Sequence, residues 1–157
     1  MKTKFEDIEI INDIEVSAVR ILNAPRDIVW KVWTEPEHIA VWWGPAGFIN
    51  TIEKMEVKPG GKWKFIMHGP DGVDYPNIVS YIEVKKPELL IYNHGDKEEE
   101  RFFQVTVRFE ELGNKTRLIW NSVFNSAEQL NKVVDEHNAL EGLKQNIDKL
   151  EKYLENL

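Results

Sequence analysis

The 157-residue sequence predicts an α+β fold, in which a curved antiparallel β-sheet wraps around a long C-terminal helix. Three observations carry that prediction. Between Phe48 and Val123 strand-like segments follow one another with short turns between them, which implies a meander. From Ser126 to Leu154 apolar residues recur at helical spacing. Between them and the N-terminal part stands Val41-Trp42-Trp43-Gly44-Pro45, a rigid apolar corner, because Pro45 fixes φ and biases Gly44 away from helix.

The elements follow in order. Residues 1–13 are polar and weakly periodic, and read as an N-terminal arm or a short edge strand; residues 14–157 read as one domain. Ile14, Val16 and Ala18 alternate with Glu15, Ser17 and Val19, as in a half-buried strand. Asn23-Ala24-Pro25 opens a helix whose apolar face is Ile28, Val29, Val32 and Trp33. Thr34 reads as the cap of a second short helix that starts at Pro36 and closes at Trp42–Trp43. One of those two rings is expected in the core and the other as a lid or surface residue.

Six strands come next: Phe48–Val57, Lys62–His68, Asn77–Val84, Leu89–His94, the run from Phe103 to Phe109, and Thr116–Val123. Pro, Gly and Asn mark the turns between them, as in Gly69-Pro70-Asp71-Gly72. Phe103, Val105, Val107 and Phe109 give the cleanest period-two pattern in the chain. Gly95 to Glu100 is a charged, solvated loop. Ser126-Ala127-Glu128-Gln129 forms a capping box for the last helix, with Gln129 reaching back to the Ser126 amide. That helix spans about 30 residues, long for a globular domain. Gly142 within it costs roughly 1 kcal/mol against alanine, which points to close approach of another backbone or to room for a ligand.

Composition removes several function classes. With no cysteine there are no disulfides, thiolate nucleophiles or cysteine zinc sites. The net charge of −7 disfavours nucleic acid and anionic membrane as partners. No apolar run approaches the ~18 residues of a membrane span and the start lacks a signal-like region, so the expected setting is soluble and cytoplasmic. His38, His68, His94 and His137 are scattered without metal-ligand spacing, so no metal and no cofactor are expected. Gly60-Gly61-Lys62 lacks the spacing of a phosphate loop.

Several local motifs resemble the homologues of the activator of heat-shock protein 90 ATPase, within the START and birch-pollen-allergen superfamily. They are Ala24-Pro25-Arg26-Asp27-Ile28-Val29-Trp30, Thr34-Glu35-Pro36-Glu37-His38, the Trp42-Trp43-Gly44-Pro45 corner, Pro59-Gly60-Gly61-Lys62-Trp63, Met67-His68-Gly69-Pro70-Asp71-Gly72, Glu83 to Leu90, Lys115-Thr116-Arg117-Leu118 and Glu141-Gly142-Leu143. The resemblance implies a helix-grip fold with a cavity between sheet and C-terminal helix. Leu89 stands where the family usually has arginine, and Leu143 where it often has tryptophan.

Trp43, Trp63, Phe65, Met67, Tyr81, Tyr92, Phe103, Trp120, His137, Leu140 and Leu143 are the candidate ligand-cavity residues. Six tryptophans are too many to sit at the surface, and the aromatic set either fills a core or lines a pocket for a flat, greasy molecule. No catalytic residue is assigned. An enzymatic alternative, cyclase- or hydratase-like, would use a cavity Glu, His or Tyr as general acid–base and requires at least two titratable side chains to converge inside the cavity; the version built on Glu53, which shares parity with Met55, and His137 needs both to face inward. The resemblance also raises a chaperone-ATPase-stimulating interaction module. Exposed tryptophan edges would equally suit a homodimer.

Overall fold

The computed structural model describes residues 7–97 and 101–157, together with the backbone of residues 4 and 5. Glu98-Glu99-Glu100 of the expected solvated loop, and residues 1–3 and 6 of the expected arm, lie outside the described residues. The chain runs β1 (Lys4–Phe5), β2 (Ile8–Asn12), β3 (Glu15–Leu22), α1 (Arg26–Thr34), α2 (Pro36–Trp42), β4 (Ile49–Met55), β5 (Lys62–His68), β6 (Asp74–Lys85), β7 (Leu89–Gly95), β8 (Phe103–Leu112), β9 (Lys115–Phe124), α3 (Ala127–His137) and α4 (Ala139–Glu155).

All strands join one open, curved antiparallel sheet in the order β1-β2-β3-β9-β8-β7-β6-β5-β4. Six consecutive strands therefore form the meander, and β9 closes it against β3, with Val16 opposite Ser122 and Ala18 opposite Trp120. The antiparallel α+β architecture expected from the sequence is the one observed.

The helices cover one face of this sheet, and aromatic rings join the layers. Trp33 is 1% exposed and meets Trp42, Trp43, Phe109 and Trp120 edge-on, with ring centroids 4.9 to 6.2 Å apart. Edge-to-face packing suits the ring quadrupole. Both rings of the Trp42–Trp43 pair are buried, so neither lies at the surface. The Trp42 indole N–H donates to the Val32 carbonyl at 3.0 Å, which makes burial of that polar edge tolerable.

Four local expectations change. Ile28 is 38% exposed, because at 100° per residue it falls just outside the arc of Val29, Trp30, Val32 and Trp33 that α1 buries. Thr34 does not cap α2; it ends α1, and its hydroxyl donates to the Trp30 carbonyl at 2.8 Å. Ser126 does cap α3, accepting from the Gln129 amide, but the Gln129 side chain accepts from the Asn125 amide at 2.8 Å rather than from that of Ser126. Finally, the expected single long helix is broken at Asn138, whose φ of 50° and ψ of 45° are left-handed. Asparagine is one of the few residues that visits this region readily, and the break lets α3 turn independently of α4.

Candidate functional site

A cavity of about 270 Å³ lies between the sheet and the two C-terminal helices. Period-two alternation builds its floor, since Tyr92 and His94 of β7, Phe103 and Val105 of β8, and Trp120, Ser122 and Phe124 of β9 all line it. Register places them in transverse rows. Tyr92 stands opposite Val105 and His94 opposite Phe103, and those rows continue to Ser122 and Phe124. Val16 ends the first row on β3, and Met67 contributes from β5.

The roof is helical. Leu130, Val133 and His137 come from α3; Leu140, Gly142, Leu143 and Asn146 come from α4. The side wall is the corner itself, Trp43-Gly44-Pro45. Gly44 has a φ of +94°, a conformation that glycine adopts at low cost. Residues of α4 clamp this corner. Gln145 accepts from the Ala46 amide at 3.1 Å, and the Lys149 ammonium donates to the Pro45 carbonyl at 3.2 Å. Burial holds the Lys149 pKa below its ordinary value. At Gly142 a Cβ would stand 3.4 Å from the Pro45 ring, so a side chain rather than another backbone approaches this glycine, which itself borders the cavity.

Of the sequence-derived residues, Trp43, Met67, Tyr92, Phe103, Trp120, His137, Leu140 and Leu143 are brought together around the cavity. Trp63, Phe65 and Tyr81 are buried but are not among its lining residues. Trp63 and Phe65 stack with centroids 4.1 Å apart, and Trp43 packs on Trp63 at 5.0 Å with its own edge on the cavity. Tyr81 meets Tyr92 at 6.0 Å. Strand parity identifies the inner face, but it cannot tell which inner residues the corner covers.

Ser122, His94 and Asn146 line the cavity without having been singled out. The signal was present: Ser122 shares parity with Trp120, His94 with Tyr92, and Asn146 interrupts the apolar stripe of the last helix.

The wall is apolar with a few polar groups. His94 is buried among Phe65 and Phe103, and its Nε2 lies 2.8 Å from Asn77 Oδ1. Desolvation pushes its pKa down to about 4, so the ring is neutral at pH 7. Burial raises the Tyr92 pKa, with Tyr81 adding to the effect. The Tyr92 hydroxyl and Asn146 Oδ1 are buried without a hydrogen-bond partner.

The His94 shift makes an acid-limb prediction. A base whose folded pKa is depressed binds its proton in the unfolded chain first, so stability is full above the unfolded pKa of ~6.5 and falls as pH drops towards 4. The loss saturates at about 3 kcal/mol. Thermal unfolding of the wild type and of His94→Gln should therefore differ by an amount that moves in the variant's favour by that much between pH 7 and pH 4. Parallel pH profiles would contradict the assignment.

The Glu53–His137 pair does not form. Glu53 is exposed at a register shift between Ile52 and Lys54, and this bulge reverses the expected inward parity. His137 is exposed at the cavity rim. Among the described residues, no carboxylate lines the cavity. Elsewhere, Glu35, Glu37 and His38 bring ligand-type atoms within 4.8 Å of one another, while His38 Nδ1 lies 2.6 Å from the Tyr153 hydroxyl. No helix among the described residues is long and apolar enough to cross a membrane.

Among solved structures, a protein from Arthrobacter aurescens is 27% identical, with a TM-score of 0.86 over 97% of this chain and 92% of its own. A protein from Mycobacterium smegmatis is 24% identical, with a TM-score of 0.85 over 96% and 97%. One from Nitrosomonas europaea is 23% identical, with a TM-score of 0.81 over 94% and 97%. The last two show the fold alone. None of the curated proteins matches the chain. The family model described as activator of Hsp90 ATPase homolog 1-like protein matches residues 23–155.

Proposed function

The chain belongs to the activator of Hsp90 ATPase homolog 1-like family, and from that premise we propose that it is a non-catalytic binding protein for a hydrophobic small molecule held between sheet and C-terminal helices. The observation that carries this reading is the 270 Å³ cavity walled by Trp43, Phe103, Trp120, Leu140 and Leu143. A core of this size ordinarily closes to native density, and a retained apolar space with a few polar groups is the usual form of a ligand site. Burial of ligand surface at about 25 cal/mol per Å² supplies the drive. The acid–base alternative built on Glu53 and His137 fails, because both side chains are exposed. In this reading the protein works in the cytoplasm.

Leu143 lies half-buried on the helix side of the cavity. Leu143→Trp should fill the space, lowering affinity for a flat apolar probe such as naphthalene about tenfold or more in equilibrium dialysis. Its melting temperature should hold or rise, as for other cavity-filling changes. Wild-type protein that retains no naphthalene or comparable apolar molecule would end this reading.

A further inference from the structure

The face of the sheet turned away from the cavity carries a relay of polar side chains that ligand binding does not use. Thr51 of β4, His68 of β5 and Asp74 of β6 stand on three adjacent strands. Met67 lines the cavity, so its neighbours Ile66 and His68 point to the opposite face. His68 is directly across from Asp74, and Thr51 is across from Ile66, diagonal to His68 on that same face. Thr51 Oγ1 lies 2.7 Å from His68 Nε2, and His68 Nδ1 lies 2.7 Å from Asp74 Oδ1.

These contacts assign the protons. A carboxylate oxygen only accepts, so in the neutral ring Nδ1 carries the proton and donates to Asp74. Nε2 is then the acceptor, and the Thr51 hydroxyl is its donor. A hydroxyl that donates to an imidazole, itself held in one tautomer by a carboxylate, is the arrangement that activates an oxygen nucleophile.

The relay is open to solvent. Thr51 is exposed, and the side chains of His68 and Asp74 are 36% and 63% exposed. Ile49, across from His68, and Pro76, across from Ile66, are exposed on either side and offer an apolar rest for a short acyl group. The backbone adds one donor. The Glu56 amide donates to the Lys62 carbonyl, so every second residue of β5, Ile66 included, faces β4, and Thr51 faces back. Ile52 therefore points its N–H away from β5, towards the edge of the sheet that β4 forms. A single N–H beside the nucleophile is a thin support for an oxyanion, which suits capture of one acyl group rather than rapid turnover.

We propose that Thr51 is a covalent acyl-acceptor site, which takes short apolar acyl groups from activated esters. Thr51 Oγ1 attacks the ester carbonyl carbon as His68 Nε2 takes the hydroxyl proton. The carbon–oxygen bond to the leaving group then breaks, and His68 gives the proton to the departing oxygen. The products are O-acyl Thr51 and a free alcohol or phenol, with no change in oxidation state. Asp74 is a positioning residue that acts through His68.

Incubation with p-nitrophenyl acetate at neutral pH, followed by intact-mass analysis and peptide mapping, tests this site. Wild-type protein should gain an acetyl group on Thr51 that hydroxylamine removes, as an oxygen ester and not a lysine amide. Labelling of Thr51 should exceed that of Thr106, the internal reference on β8, by about tenfold or more. His68→Asn should abolish that excess and Asp74→Asn should cut it several-fold, with Thr106 labelling unchanged in both. Thr51→Ser should keep the hydroxylamine-sensitive adduct and Thr51→Val should lose it. Acetyl groups confined to amines, Thr51 labelled no faster than Thr106, or an undiminished excess in His68→Asn would each overturn the proposal.

Discussion

Trp33→Ala is expected to destabilise the protein by about 3–5 kcal/mol, the range for removing a fully buried large aromatic. The indole touches four other aromatic rings, two from the corner and one each from β8 and β9. Its loss leaves a void between the helical layer and the sheet, where collapse would require both layers to move. For a protein of this size each kcal/mol shifts the melting temperature by roughly 2–4 °C, so thermal unfolding followed by circular dichroism should show a drop of about 10–15 °C. Trp33→Phe should cost far less. It keeps most of the packing and removes an indole N–H that is buried without a partner. Equal losses for the two variants would mean that Trp33 is not the ring that joins the layers. Ile28→Ala, on the exposed side of the same helix, should fall within about 0.5 kcal/mol of wild type.

Gly61→Ala should cost about 2–4 kcal/mol through backbone displacement rather than lost packing. A Cβ at this position would overlap the Glu56 carbonyl oxygen and lie 3.0 Å from that of Lys58. Neither is the flexible end of a side chain, so the turn itself must shift. That turn is tied to β6: the Gly60 amide donates to the Tyr81 carbonyl at 2.9 Å, and the Tyr81 amide donates to the Gly61 carbonyl at 3.0 Å. Gly60→Ala is the comparison. Its φ of +82° is left-handed but nothing lies within 4 Å of a Cβ there, so the cost should be only about 1–2 kcal/mol. Urea unfolding of the two variants tests the order; a Gly60 variant weaker than the Gly61 variant would reverse the argument.

How legible each feature was depends on how far its cause lies along the chain. The meander could be read because side-chain alternation and turn residues are local, as in Phe103 to Phe109 and in Gly69 to Gly72. The corner could be read because Gly44-Pro45 restricts its own backbone. The break at Asn138 was masked by apolar spacing that continues across it, since periodicity records faces and not dihedral angles. Glu53 misled for a related reason: one extra residue in β4 inverts the parity that places a side chain inside or outside.

The cavity shows the same division. Period-two and helical patterns selected the inner faces, and these include Trp43, Tyr92, Trp120 and Leu143. Which inner residues border open space, and which pack behind Trp43 as Trp63 and Phe65 do, depends on how the corner, α3 and α4 seat on the sheet. Residues 43, 92 and 146 are dozens of positions apart, and only packing brings them around one space. Element type and inward face follow from neighbours in sequence, because propensity and alternation act over a few residues. The volume left unfilled, and the Tyr92 hydroxyl and Asn146 Oδ1 left unpaired, follow from contacts across the fold.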